Sequence, residues 1–169
     1  MLEARHDLGR ARLFKPEALG TPGKRTFRFQ IEAERGSANV WMEKAQLCAL
    51  ATAVKKFLED NPARAASRDS VIETLPEPYL DFKAASLGLA YDETSGLFAI
   101  LAYEAEDFER DTATLICWVT RRQIDQMADA ALIVVNAGRP ICPLCKQAMD
   151  PEGHVCVKSN GHKAASDEL

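Results

Sequence analysis

The chain has 169 residues, 47% of them hydrophobic and 27% charged. That mixture suits one globular domain with a small appendage and excludes a disordered or low-complexity chain. A formal net charge of -4, with no basic stripe interleaved with aromatics, opposes a phosphate backbone and excludes nucleic acid as the expected partner.

The opening MLEARHDLGRARLF has basic residues but no apolar core behind them, so it does not read as a signal peptide. No apolar run reaches the roughly 18 residues of a membrane span. The closing Ser166-Asp167-Glu168-Leu169 resembles a retention tail that would have no meaning without a signal peptide. A cytoplasmic protein with no membrane partner is expected. His6 reads as lying on an N-terminal arm, and the Pro-Gly of GTPGKR reads as a turn entering the strand that begins at Arg25. It is not a phosphate loop, since Ala18 stands at the first glycine position and Arg25 follows Lys24.

From Thr26 the pattern alternates. Phe27, Phe29, Ile31 and Ala33 point one way, Arg28, Gln30 and Glu32 the other, which predicts a half-buried strand, and Gly36 supplies a hairpin turn. From Lys44 the period changes to that of a helix, with Leu47, Leu50, Ala51, Val54 and Leu58 on one face. Pro62 and the small and polar residues after it predict a loop. Further strands follow in DFKAASLGLAY and LFAILAYEA, separated by a DETSG turn. The acidic set Glu104, Glu106, Asp107, Glu109 and Asp111 reads as an exposed, solvated connection to the strand TATLICWV. A second helix then carries Ile124, Met127, Ala128, Ala131 and Val135, opened by the T-x-x-Q capping box of Thr120 and Gln123.

The two strand-then-helix stretches match at a constant offset of 77. Trp41 answers Trp118, Lys44 answers Arg121, Gln46 answers Gln123, and Leu47, Leu50 and Ala51 answer Ile124, Met127 and Ala128. This register predicts an internal duplication. The fold class that follows is α+β: two pseudo-symmetric β-hairpin-plus-helix units with an antiparallel sheet, spanning residues 1–138. Both helices would cover the sheet, leaving a groove between the halves. Gly138 reads as a helix C-cap and domain boundary. Residues 139–162 then form a small zinc-knuckle or ribbon-like segment, and 163–169 a disordered tail.

The knuckle is the stretch CPLCKQAMDPEGHVC, which holds three of the five cysteines and one of the three histidines. C-P-x-C turns two thiolates toward one centre, and Cys156 closes a small loop back onto them. So short a segment has no core of its own, so a structural Zn²⁺ would supply its folding free energy. The predicted ligands are Cys142, Cys145, His154 and Cys156, with His162 as the alternative fourth ligand. Three thiolates and an imidazole leave no position for water, and such a set accepts iron as well as zinc. A redox pair at Cys142 and Cys145 is the weaker reading, because the pair does not open a helix after a central strand. Cys48 and Cys117 sit in apolar patterns and read as buried thiols, and Trp41 and Trp118 as core or interface residues. Neither cysteine has an obvious base, and no G-x-S-x-G is present, so no catalytic constellation is visible.

The tail CPLCKQAMDPEGHVCVKSNGH resembles the closing signature of a bacterial family of conserved hypothetical proteins, domain of unknown function 3090, which ends in CPxC, DPEGHxC and an NG before an aromatic or His. The resemblance extends to Leu8-Gly9, Phe14, the G-x-P-G-x-R of Gly20 to Arg25 and the E-K-x-Q of Glu43 to Gln46. Lys146, Ala148 and Val157 depart from the Gly and Pro usual there, which alters turn preferences but not ligands. The resemblance implies His154, not His162, as the ligand. It also implies a protein partner, kinase-like or histidine-phosphatase-like, in a phosphate-handling pathway. The expectation is a non-enzymatic zinc-binding adaptor or regulatory subunit. The alternative is a small metal-assisted enzyme or small-molecule binder with its site in the groove.

Overall fold

The computed structural model describes residues 2–21, 23–62, 79–109, 112–137, 142–146, 149 and 154–158. Within them lie seven strands and three helices, a mixed α+β arrangement. The strands are β1 (Ala4–Leu19), β2 (Thr26–Ala33), β3 (Gly36–Met42), β4 (Tyr79–Lys83), β5 (Ser86–Asp92), β6 (Leu97–Tyr103) and β7 (Ala113–Val119). The helices are α1 (Lys44–Asp60), α2 (Ala105–Glu109) and α3 (Arg121–Asn136). All seven strands share one sheet in the order β4-β3-β2-β1-β7-β6-β5. No helix among the described residues is long and apolar enough to cross a membrane.

Each predicted hairpin is antiparallel, β2 with β3 and β5 with β6. The sheet as a whole is mixed, because β1 pairs parallel with β7 and β3 parallel with β4. These joins follow helical or long connections, which return the chain in the same direction as the strand it left. The expected N-terminal arm is instead the central strand β1, and His6 lies within it opposite Leu115. Gly9 makes this possible. Its φ is 73°, and a Cβ there would stand 2.6 Å from the Glu34 carboxylate. At this bend Arg35 N–H donates to the Leu8 carbonyl and Glu34 N–H to the Arg10 carbonyl, so the β2–β3 turn is tied to β1. Pro16 is tolerated in β1 because the pairing with β7 ends at Arg10, leaving β2 as the neighbour beside it.

α1 and α3 pack side by side over one face of the sheet. The predicted faces are the buried ones: Leu47, Leu50, Ala51 and Val54 on α1, and Ile124, Met127, Ala128, Ala131 and Val135 on α3. They close over Leu8, Phe29, Ile31, Phe98, Ile100 and Leu115. Lys55 bridges the helices, with its Nζ 2.5 Å from Asp125 and 2.6 Å from Asp129. Arg121 donates to the Leu58 carbonyl near the end of α1 at 2.8 Å. Arg25, from the loop of Gly20 and Gly23, donates to the Val134 and Ala137 carbonyls at the end of α3. Both guanidinium groups satisfy helix-terminal carbonyls that have no intrahelical partner.

The matched glutamines share the same two structural jobs. Gln46 Oε1 accepts the Glu43 N–H at 2.7 Å, while its Nε2 donates to the Ala85 carbonyl at 2.9 Å. Gln123 Oε1 accepts the Thr120 N–H at 2.9 Å, while its Nε2 donates to the Ala11 carbonyl at 2.7 Å. Each glutamine therefore caps its helix and pins it to neighbouring backbone, which is why Gln recurs where any cap former would open a helix.

On the opposite face the two halves differ. The β2–β3–β4 side is polar, with Arg28 held by Glu17 at 2.9 and 3.0 Å and standing 5.2 Å from the centre of the Trp41 ring. Trp41 Nε1 donates to Asp81, which also accepts from Tyr79 and Asn39. Those bonds and the Arg28 interaction hold the Asp81 carboxyl below its ordinary range, the Trp41 bond being the largest cause. The β6–β7 side is apolar, a small cluster of Ala99, Leu101, Ala113 and Ile116 packed with Tyr103 and Trp118. Neither tryptophan belongs to the main core.

The acidic connection is also corrected. It forms the short helix α2, and Asp107 is 1% exposed, accepting from Arg5 at 2.8 Å and from the Thr114 hydroxyl at 2.6 Å. Burial is possible because these donors compensate the charge. Asp111, the loop after Pro62, Gly138 and the tail at 163–169 lie outside the described residues.

Candidate metal centre

After α3 the chain reaches Cys142-Pro143-Leu144-Cys145, a tight turn closed by Lys146 N–H donating to the Cys142 carbonyl at 2.9 Å. Lys146 takes φ 62°, the left-handed conformation that lets the chain leave the turn sharply. The turn aims backbone N–H groups at the Cys142 sulfur. Those of Cys145, the largest effect, and Leu144, with the thiols of Cys145 and Cys156, lower the Cys142 pKa to about 6 against the opposing effect of burial. Cys142 is thus set up as a thiolate, the form that binds metal.

Cys142 and Cys156 are both 0% exposed. His154 and Cys156 flank Val155 on a short extended piece. The thiols of Cys142, Cys145 and Cys156 and one ring nitrogen of His154 all lie within 4.8 Å of one another. Cys142 Sγ and Cys156 Sγ are 3.8 Å apart, and Cys145 Sγ lies 3.3 Å from His154 Nε2. A tetrahedral zinc with Zn–S of about 2.3 Å and Zn–N of about 2.0 Å requires edges of about 3.8 Å between sulfurs and about 3.5 Å between sulfur and nitrogen. The Cys142–Cys156 and Cys145–His154 separations lie close to those edges. Four side chains gathered so closely around one point can hold a metal ion. Among the described residues, His154 Nδ1 is buried with no hydrogen-bond partner. The ring nitrogen turned toward the sulfurs is Nε2.

None of the five cysteines is in a disulfide. Cys117 is fully buried in β7, and desolvation pushes its pKa far up, so it behaves as a small core residue. Cys48, on α1 at the margin of the core, is only partly buried, which corrects the expectation of a second buried thiol. His162, the alternative fourth ligand, lies outside the described residues.

A second feature is a cleft of about 250 Å³ whose lining includes Asp7, Arg10, Glu34, Arg35, Asp92, Ser95, Leu97 and Trp118. It stands where the β2–β3 turn and the β5–β6 turn approach β1 on either side. Its residues come from four separate stretches of sequence, so no local motif announced it. Several of its charged side chains are already engaged: Arg35 pairs with Asp7 at 3.1 Å, Glu34 accepts the Arg10 backbone N–H at 3.1 Å, and Asp92 accepts from Thr94 N–H and the Ser95 hydroxyl.

The family described as Protein of unknown function (DUF3090) matches residues 6–156. That span contains Cys142, Cys145, His154 and Cys156 and leaves His162 outside. Neither a curated protein nor a solved structure matches the chain. With the match running from β1 through the last cysteine of the cluster, the chain belongs to the DUF3090 family.

Proposed function

We propose that this protein is a non-enzymatic adaptor or regulatory subunit whose C-terminal knuckle is folded around one structural Zn²⁺. The observation that carries the reading is the closed donor set of Cys142, Cys145, His154 and Cys156, with all four ligand atoms within 4.8 Å. Four protein ligands fill a tetrahedral ion, which then stabilises structure and has no open position for substrate or water. Held in this way, the knuckle presents Leu144, Val155 and Val157 to solvent, each beside a ligand cysteine. Apolar side chains on a metal-fixed loop suit contact with another protein. The proposed partner is kinase-like or phosphatase-like, following the family resemblance, and the proposed setting is the cytoplasm of a bacterium. The 77-residue register, with its paired glutamine pins, supports an origin of the body by duplication.

The test is metal content. Purified without a histidine tag, the protein should carry about one zinc per chain, and Cys156→Ala should carry little. Iron in place of zinc would change the ion but keep the structural role. Absence of any metal from freshly reduced protein would refute the reading. A second reading, a small-molecule binder or metal-assisted enzyme, is favoured by the cleft between the halves. A ligand retained there through purification would support it over the adaptor.

A further inference from the structure

We propose that Cys145 is an oxidation site through which hydroperoxides remove the metal from the knuckle. The inference rests on the metal reading above.

The five cysteines occupy three environments. Cys117 is sealed in β7 and stays protonated, so it has neither access nor thiolate character. Cys48 is partly exposed but stands outside the cluster, with no metal to ionise it. Within the cluster, Cys142 and Cys156 are 0% exposed, and Cys145 alone is partly open to solvent. A metal-bound cysteine is a thiolate, and an accessible thiolate is the form peroxides attack. Cys145 therefore combines access and ionisation where the other four lack one or the other. It also has its resolving partners at hand, since the sulfurs of Cys142 and Cys156 lie within 4.8 Å of it.

The chemistry closes without a further reagent. The Cys145 thiolate attacks the hydroperoxide: an S–O bond forms, the O–O bond breaks, and the alkoxide or hydroxide that leaves takes a proton from water. The Cys142 or Cys156 thiolate then attacks the sulfenic acid. An S–S bond forms, the S–O bond breaks, and hydroxide leaves as water. In sum, two thiolates, one hydroperoxide and two protons give one disulfide, one alcohol or water, and one further water. Two electrons pass from sulfur to peroxide oxygen. One thiolate and His154 remain, too few donors to retain the ion, and a segment ordered by its metal loses that order. The exposed Leu144, Val155 and Val157 would lose their fixed arrangement with it, while the core under α1 and α3 is untouched.

The experiment uses the full chain loaded with zinc, treated with a small excess of hydrogen peroxide. Released zinc is followed with a chromogenic chelator, and cysteines are mapped by mass spectrometry. One zinc released per disulfide formed is expected, with Cys145 in the disulfide, Cys117 unmodified, and zinc rebinding after a thiol reductant. Cys48→Ser, altered outside the cluster, should release zinc at the parent rate. Zinc retained while Cys48 oxidises, release abolished in Cys48→Ser, or a disulfide of Cys142 with Cys156 that leaves Cys145 reduced would each overturn the proposal alone. Failure to load zinc before any peroxide is added would overturn the metal reading and this proposal with it.

Discussion

Replacing Gln123 by Ala isolates one of the contacts that lock the helical layer to the sheet. The side chain accepts the Thr120 N–H at 2.9 Å and donates to the Ala11 carbonyl at 2.7 Å. Each bond contributes about 1 kcal/mol net. Thr120 is 7% exposed and Ala11 8%, so water does not readily replace either partner. The two stranded groups add part of a desolvation cost, and the better helix propensity of Ala returns a few tenths of a kcal/mol. The expected loss is about 2–3 kcal/mol, which lowers the Tm of a chain this size by about 5–10 °C. Gln46→Ala is the internal control. It removes the same two roles, but its contacts with Glu43 and Ala85 are exposed, so about 1 kcal/mol is expected. Urea unfolding of the parent and both variants gives the comparison. A Gln123→Ala protein within about 0.5 kcal/mol of the parent, or a Gln46→Ala protein that loses more, would refute the reasoning.

Lys55→Met should cost no more than about 1 kcal/mol at low salt, because both carboxylates it bridges, Asp125 and Asp129, are more than half exposed; unfolding at high salt should bring variant and parent together, and a difference that survives would mean Lys55 acts by packing. His154→Ala should weaken zinc binding by at least about ten-fold, measured by chelator competition, whereas His162→Ala should leave it unchanged. The reverse result would move the fourth ligand to His162.

Much of the fold could be read wherever contacts are local and periodic. Phe27, Phe29, Ile31 and Ala33 alternate without interruption, and both long helices carry an unbroken apolar face. β1 escaped because its alternation is broken by Gly9, by the irregularity between Ala11 and Leu13, and by Pro16, although it is the strand that joins the two halves. Its central place depends on pairing with β7 more than a hundred residues later, which no local period records. The burial of Asp107 has the same origin, since its partner Arg5 is 102 residues away. The cluster at Cys142, Cys145, His154 and Cys156 was legible because its ligands lie within one short stretch, where spacing alone fixes what can converge. The cleft was not, because it exists only once the β2–β3 and β5–β6 turns have been brought to β1.

The most direct test of a closed, structural metal site is X-ray absorption at the zinc edge on the full chain loaded with one equivalent of zinc. Three sulfurs at about 2.3 Å and one nitrogen at about 2.0 Å, with no oxygen neighbour, is the predicted first shell. An oxygen completing the shell would mean that one of Cys142, Cys145, His154 or Cys156 leaves a position open, and the site would then be built for chemistry, contradicting the adaptor reading.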